Sequence, residues 1–193
     1  MKIGVLALQG AFREHREVFE ALGATCVEVR TPEELAAVDA LVLPGGESTA
    51  ITRLLDTSGV REPLVERLRD GLPAFGTCAG LIVLARSVLD GRPDQVPLDA
   101  IDVTVRRNAY GTQLQSFEAD LDISGIGNGS FRGVFIRAPV ITAVAPEVEV
   151  LAEHEGSPVL CRQGAVWAST FHPELSGDLR VHQRFLLDVK SWS

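Results

Sequence analysis

The chain opens on an apolar run, Lys2 to Leu8, and then changes period. After Gly10 the apolar residues Ala11, Phe12, Val18, Phe19 and Leu22 cluster at helical spacing within Ala11–Leu22. A strand followed by a helix is predicted. The alternation recurs, with Thr25–Val29 as a strand, Pro32 opening a short helix, Ala40–Leu43 as a strand, and PGGEST ahead of a helix over Ala50–Leu55. A helix over Arg61–Arg69 leads to the short strand Pro73–Phe75 and, past GTCAG, to a helix over Ala79–Ala85. This spacing predicts an α/β fold of three layers, flavodoxin-like, with a mainly parallel sheet carrying helices on both faces. In such folds the loops at the carboxyl ends of strands form the site. PGGES and GTCAG both fall there.

The second half changes character. DVTVRRNAYG, SFEADLDI and GVFIRAPV are extended patterns with little helix between them, so antiparallel additions are predicted. Glu147–Leu151, Pro158–Arg162 and Ala165–Ser169 read as three more strands, with a hairpin turn at Gln163 and Gly164 and a closing helix over Asp178–Lys190. SGIGNGS, Ser124–Ser130, lacks the spacing and the following helix of a nucleotide-binding loop and reads as a surface turn. The polar, proline-containing GRPDQVPLDA, Gly91–Ala100, reads as a connecting loop. With no repeat and no low-complexity linker, 193 residues are expected to form one domain, 1–193.

Charge and composition exclude several classes. The formal charge is −8 and the basic residues are scattered, not gathered into a stripe that could follow a phosphate backbone, so no nucleic-acid partner is expected. No apolar run approaches the ~20 residues that span a bilayer, and the opening run is too short for a signal peptide, so a soluble, cytoplasmic protein without membrane attachment is expected. Three cysteines without CxxC spacing suggest neither a disulfide framework nor a zinc site. Cys26 and Cys161 lie in apolar strand patterns and read as core thiols. His154 and His182 have no neighbours at ligand spacing, so no metal is implied, and His15 is expected on a solvated helix face. Trp167 and Trp192 read as packing residues.

One cysteine stands apart. Cys78 sits where a strand turns sharply into a helix, with Gly76, Ala79 and Gly80 giving room for the turn, and the unpaired N–H groups of the helix start favour negative charge there. A small buried core thiol is an equal reading of the position. In FHPEL, after the strand ending at Thr170, His172 and Glu174 are two residues apart and point the same way in an extended segment. The carboxylate could then orient an imidazole that faces a thiol elsewhere, giving nucleophile, acid/base and orienting group in that chain order. A solvated loop is the other reading of a lone HxE.

GTCAG and HPE in this order on an alternating α/β chain resemble the class I, triad-type glutamine amidotransferases. More closely, LALQGAFREH, LPGGEST, FGTCAGLIVLA, RNAYG, SFEADL, GVFIRAP and STFHPEL span nearly the full length. Together they resemble the glutaminase-subunit family of the ribose-5-phosphate-dependent pyridoxal 5′-phosphate synthases. The resemblance implies a triad of Cys78, His172 and Glu174 that hydrolyses L-glutamine to L-glutamate and ammonia through a glutamyl thioester. It also implies an oxyanion hole from the backbone N–H groups of Gly46 and Ala79. Gly46, Glu47 and Ser48 match the glutamine-binding loop, Arg107, Ile136 and Arg137 match other glutamine contacts, and Gln9 matches an opening that lies near the substrate. By residue type alone, Glu47 and Ser48 could simply begin a helix, and Arg107 and Arg137 could be surface ion-pair residues.

The implied partner is a barrel-shaped synthase subunit that receives the ammonia and builds pyridoxal 5′-phosphate, so this chain is expected to need no cofactor. Association with that partner is expected to complete the oxyanion hole. Two positions depart from the family pattern: Arg106 stands where an acidic residue is usual, and Thr112 where an arginine or lysine is usual. A stand-alone cysteine hydrolase and a catalytically dead scaffold are the competing functions, the first opposed by PGGEST and FIRAP, the second by the intact Cys78, His172 and Glu174.

Overall fold

The computed structural model describes residues 1–92, 94–107 and 116–192. Asn108 to Gly111 of RNAYG and the Thr112 departure therefore lie outside the described residues. The first half runs β1 (Lys2–Leu6), α1 (Phe12–Ala21), β2 (Thr25–Val29), α2 (Pro32–Ala36), β3 (Ala40–Leu43), α3 (Ser48–Thr57), α4 (Arg61–Arg69), β4 (Ala74–Thr77) and α5 (Ala79–Leu84). There follow β5 (Ala85–Val88), β6 (Ile101–Arg106), β7 (Ser116–Leu121), β8 (Phe131–Ile136), β9 (Val140–Val144), β10 (Glu149–His154), β11 (Ser157–Gln163), β12 (Val166–Ser169), a 3₁₀ turn at Pro173–Leu175, and α6 (Arg180–Trp192).

The main sheet has the order β10-β11-β12-β4-β3-β1-β2. The pairs from β12 to β2 are parallel, and β10 and β11 add antiparallel to β12. The five parallel strands thus follow the flavodoxin-like order, and β12, β4, β3 and β1 lie side by side with their carboxyl ends at one edge. All of β3 is buried because both its faces are covered. Leu41 and Leu43 join the cluster that holds Leu35, Ile51, Leu64 and Leu81 of α2 to α5. Ala40 and Val42 join the opposite cluster, with Phe19 of α1 and Val181, Phe185 and Val189 of α6. The three layers follow from this alternation.

Local chemistry sets several boundaries. Thr31 caps α2: its hydroxyl accepts from the Glu34 N–H at 3.3 Å while Glu34 Oε2 accepts from the Thr31 N–H at 3.1 Å, with Pro32 as the first helical residue. Glu47 caps α3 by accepting from the N–H groups of Thr49 at 3.0 Å and Ala50 at 2.7 Å.

Several expectations need correction. The helix after Cys78 stops at Leu84, because Ala85 is already extended and begins β5, a strand the sequence pattern did not suggest. β5, β6 and β9 form a second, three-stranded sheet. GVFIRAPV is not one strand, since Arg137, at φ 46°, breaks it between β8 and β9. β8 instead pairs with β7 in a separate two-stranded sheet. The β11–β12 turn lies one residue later than expected, because Gln163 pairs with Val166. Trp192 is 40% exposed and so is no packing residue, whereas Trp167 is fully buried. Among the described residues, no helix is long and apolar enough to cross a membrane.

Candidate functional site

Cys78 stands at the carboxyl end of β4 with φ 50° and ψ −101°, a backbone conformation that a residue bearing a β-carbon holds only under tertiary constraint. The constraint is visible on both sides. The Cys78 N–H donates to the Ser169 carbonyl of β12 at 2.8 Å, and the Gly80 backbone lies against β3, where a β-carbon would come 2.7 Å from the Leu43 carbonyl carbon and closer still to its oxygen. A glycine at 80 therefore lets α5 approach the sheet and raises the thiol over its edge. The Sγ is directed toward the Ile136 carbonyl at 3.9 Å, and the residue is 7% exposed. As the first helical residue, Ala79 has an N–H with no intrahelical acceptor.

His172 follows β12, and β8 fixes its backbone: the His172 N–H donates to the Val134 carbonyl at 2.8 Å. Its Nδ1 lies 2.7 Å from Glu174 Oε1, which leaves Nε2 as the nitrogen free to serve the thiol. Burial opposes charge on this ring, but hydrogen bonds to Cys78 and Glu174 and the negative charge of the Glu174 carboxylate outweigh it and raise its pKa to about 10. Glu174 is buried too, which by itself would raise its pKa, yet the pKa falls to about 2 under the influence of His15 and His172. Because burial keeps His15 itself from charging, we assign the lowering to His172 and treat His15 as a neutral neighbour.

Cys78, His172, Gly46, Glu47, Ser48, Ala79, Arg107, Ile136 and Arg137 all line one cleft of about 360 Å³, toward the small end of the range for ligand pockets. Glu174 stands behind His172, outside the lining. Gln9 also lies outside it, but its Oε1 accepts from the Glu47 N–H at 2.8 Å and so braces the glycine loop. One wall carries both charge signs: Arg107 Nη2 is 3.3 Å from Glu47 Oε1, while its Nη1 donates to Gln95 Oε1 at 2.6 Å and Thr49 Oγ1 at 3.2 Å. An amino acid, with an ammonium and a carboxylate, finds complementary groups here.

Sequence reasoning missed Gln95, which lies in an aperiodic loop and yet is 7% exposed because it holds Arg107. It also misread His15, which is fully buried on α1, with Nε2 3.0 Å from Thr77 Oγ1 and Nδ1 3.1 Å from His182 Nε2. A signal existed. His15 falls three residues after Phe12 and four before Phe19, and His182 falls three before Phe185, so both lie on the apolar faces of their helices.

Residues 5–191 match the SNO glutamine amidotransferase family. The chain is 55% identical to the pyridoxal 5′-phosphate synthase subunit PdxT of Mycobacteroides abscessus over 189 residues, covering 98% of this chain and 97% of that one. It is 52% identical to the subunit of the same name from Thermotoga neapolitana over 190 residues, covering 98% and 100%. A crystal structure of a glutamine amidotransferase superposes with a TM-score of 0.91 at 49% identity, over 97% of this chain and 98% of that one. A PurLQS structure from Thermotoga maritima shares the fold at a TM-score of 0.74 and 14% identity, over 96% of this chain and 97% of that one.

Proposed function

The chain belongs to the SNO glutamine amidotransferase family, and on that premise we propose that it hydrolyses L-glutamine and supplies the ammonia to a pyridoxal 5′-phosphate synthase. One observation carries this function. A cysteine on a constrained strand-to-helix turn and an imidazole ordered by a buried carboxylate border the same small cleft, which is also lined by the Glu47–Arg107 pair.

In this mechanism His172 Nε2 takes the proton of the Cys78 thiol as the sulfur attacks the side-chain carboxamide carbon of glutamine, with negative charge developing on the former carbonyl oxygen. The N–H groups of Ala79 and Gly46 are the donors proposed for that oxygen. His172 gives a proton from Nε2 to the departing nitrogen, so that ammonia leaves and a glutamyl thioester remains. The same nitrogen then takes a proton from water as its oxygen attacks the thioester, releasing glutamate and restoring the thiol. Glu174 keeps the Nδ1–H of His172 in place throughout. Glu47, Ser48, Arg107, Ile136 and Arg137 hold the amino-acid end, and Gln9 braces the loop that carries Gly46.

The partner would be a synthase subunit of barrel type, acting with this chain in the cytoplasm, and the 193 residues would form one amidotransferase domain. The experiment is glutamate release from glutamine by the purified chain, alone and with saturating cognate synthase, for wild type and Cys78→Ser. Partner-stimulated release that disappears in Cys78→Ser is expected. Release at the wild-type rate by Cys78→Ser would overturn the assignment of the nucleophile, and no release in either condition would overturn the activity.

A further inference from the structure

Behind the cleft, two imidazoles that the mechanism does not use form a buried chain that ends on Glu174. His182, on α6, and His15, on α1, are both 0% exposed, and their facing nitrogens, His182 Nε2 and His15 Nδ1, are 3.1 Å apart. On its other side His15 Nε2 is 3.0 Å from Thr77 Oγ1 and 3.3 Å from Glu174 Oε2. That oxygen has no aligned hydrogen-bond donor among the described residues. The N–H direction of His15 favours Thr77, yet the carboxylate oxygen is within its reach.

The proton positions can be deduced. Burial disfavours the cation of either ring, so each carries one N–H. If His15 held its proton on Nδ1, the Thr77 hydroxyl could donate to Nε2, but that lone pair would still face the buried, ionised Glu174 oxygen at 3.3 Å, and the carboxylate would receive no donor from this ring. With the proton on Nε2, that N–H is shared between Thr77 and Glu174, and Nδ1 becomes an acceptor for the His182 Nε2–H. The second arrangement satisfies both contacts with one proton each. His182 Nδ1 is then an acceptor without a partner among the described residues, and the rings of Phe19 and Phe75, with centroids 5.0 Å and 5.9 Å from that of His182, pack against its ring.

We propose that His15 is a positioning residue that fixes Glu174 through an Nε2–H donor, and that His182 sets the tautomer of His15 by donating to its Nδ1. Glu174 is then held from two sides, by His172 on Oε1 and by His15 on Oε2, so its carboxylate cannot swing away from the imidazole it orders. This rests on the glutaminase reading for its effect on rate, but its proton assignment stands apart from any activity.

The test joins kinetics to a spectroscopic measurement. In the complex with the cognate synthase, His15→Leu is expected to lower kcat for glutamate release about tenfold or more with KM little changed, because no glutamine contact is touched. His15→Gln, which returns an N–H donor near the Nε2 position, is expected to restore most of that loss. His182→Leu should give a smaller fall. A kcat unchanged in His15→Leu, or a loss that His15→Gln fails to recover at all, would overturn the proposal. The ¹⁵N shifts of His15 in the wild-type chain are expected to show a protonated Nε2 and a bare Nδ1, and the opposite tautomer would overturn it whether or not His15→Leu folds. Failure of the wild-type complex to release glutamate would instead count against the proposed function, and the ¹⁵N measurement would still decide the assignment.

Discussion

The ring of His172 rests on the backbone of Gly45: a β-carbon at position 45 would stand 3.0 Å from Nδ1 and closer still to Cε1. The glycine loop after β3 and the histidine after β12 are therefore packed as a unit. Gly45→Ala must displace either the ring or the loop, and the ring, held by one hydrogen bond to Glu174, can rotate more easily than the loop backbone, whose Gly45 carbonyl accepts from the Ala11 N–H at 3.0 Å. We expect Gly45→Ala to lower partner-stimulated glutamate release at least about 100-fold, with a melting temperature close to wild type. Activity within threefold of wild type would show that the contact is not needed.

Gly80 has the opposite signature. Its missing β-carbon would meet backbone atoms of Leu43, which cannot rotate away, so relief requires α5 to lift from β3. Gly80→Ala is expected to destabilise the fold by about 3 kcal/mol, read by urea unfolding, and to lower activity only as a consequence. An unfolding midpoint unchanged from wild type would contradict the close approach.

Acid should unfold this protein through three buried groups acting with the same sign: His182, Glu174 and His15, whose pKa burial also lowers. Burial lowers the pKa of His182 from 6.5 to about 3. The unfolded chain then takes the proton first, and this contribution is whole above pH 6.5 and lost as pH falls toward 3. Glu174, lowered from 4.5 to about 2, adds a loss between those values. His172, raised from 6.5 to about 10, acts the other way: its contribution is whole below pH 6.5 and lost as pH rises toward 10. Each group contributes a slope of about 1.4 kcal/mol per pH unit within its window. His182→Phe should flatten the decline between pH 6 and 4 in urea unfolding followed across pH. An unaltered slope would show that His182 does not titrate in that window.

Thiol labelling should be selective. Burial, with Glu153 nearby, pushes the Cys161 thiol up to about 12, and burial, with Glu20 nearby, pushes Cys26 up to about 11, so both are inert near pH 7.5. An electrophilic glutamine analogue is expected to modify Cys78 alone in the complex with the synthase, as read by peptide mass mapping. Modification of Cys161 at a comparable rate would contradict this.

By itself the sequence determined the alternation of strand and helix, the flavodoxin-like class and the turn at Cys78, because each is written in local periodicity or in small residues at a bend. It set His172 and Glu174 two residues apart, but their contact is made through the 3₁₀ turn at Pro173–Leu175 and not in the extended segment expected. It also held the family resemblance along nearly its whole length. Periodicity reports which face of an element is apolar, but not which elements meet. Only the tertiary structure brought the ends of β1, β3, β4 and β12 to one edge, drew Gln95 out of a polar loop onto Arg107, and split the later extended stretches into two further sheets. It also turned His15 and His182 from two unrelated helix residues into neighbours. The two lie 167 residues apart in the chain, and hydrogen bonds across such a separation are decided by how faces pack, not by any pattern within them.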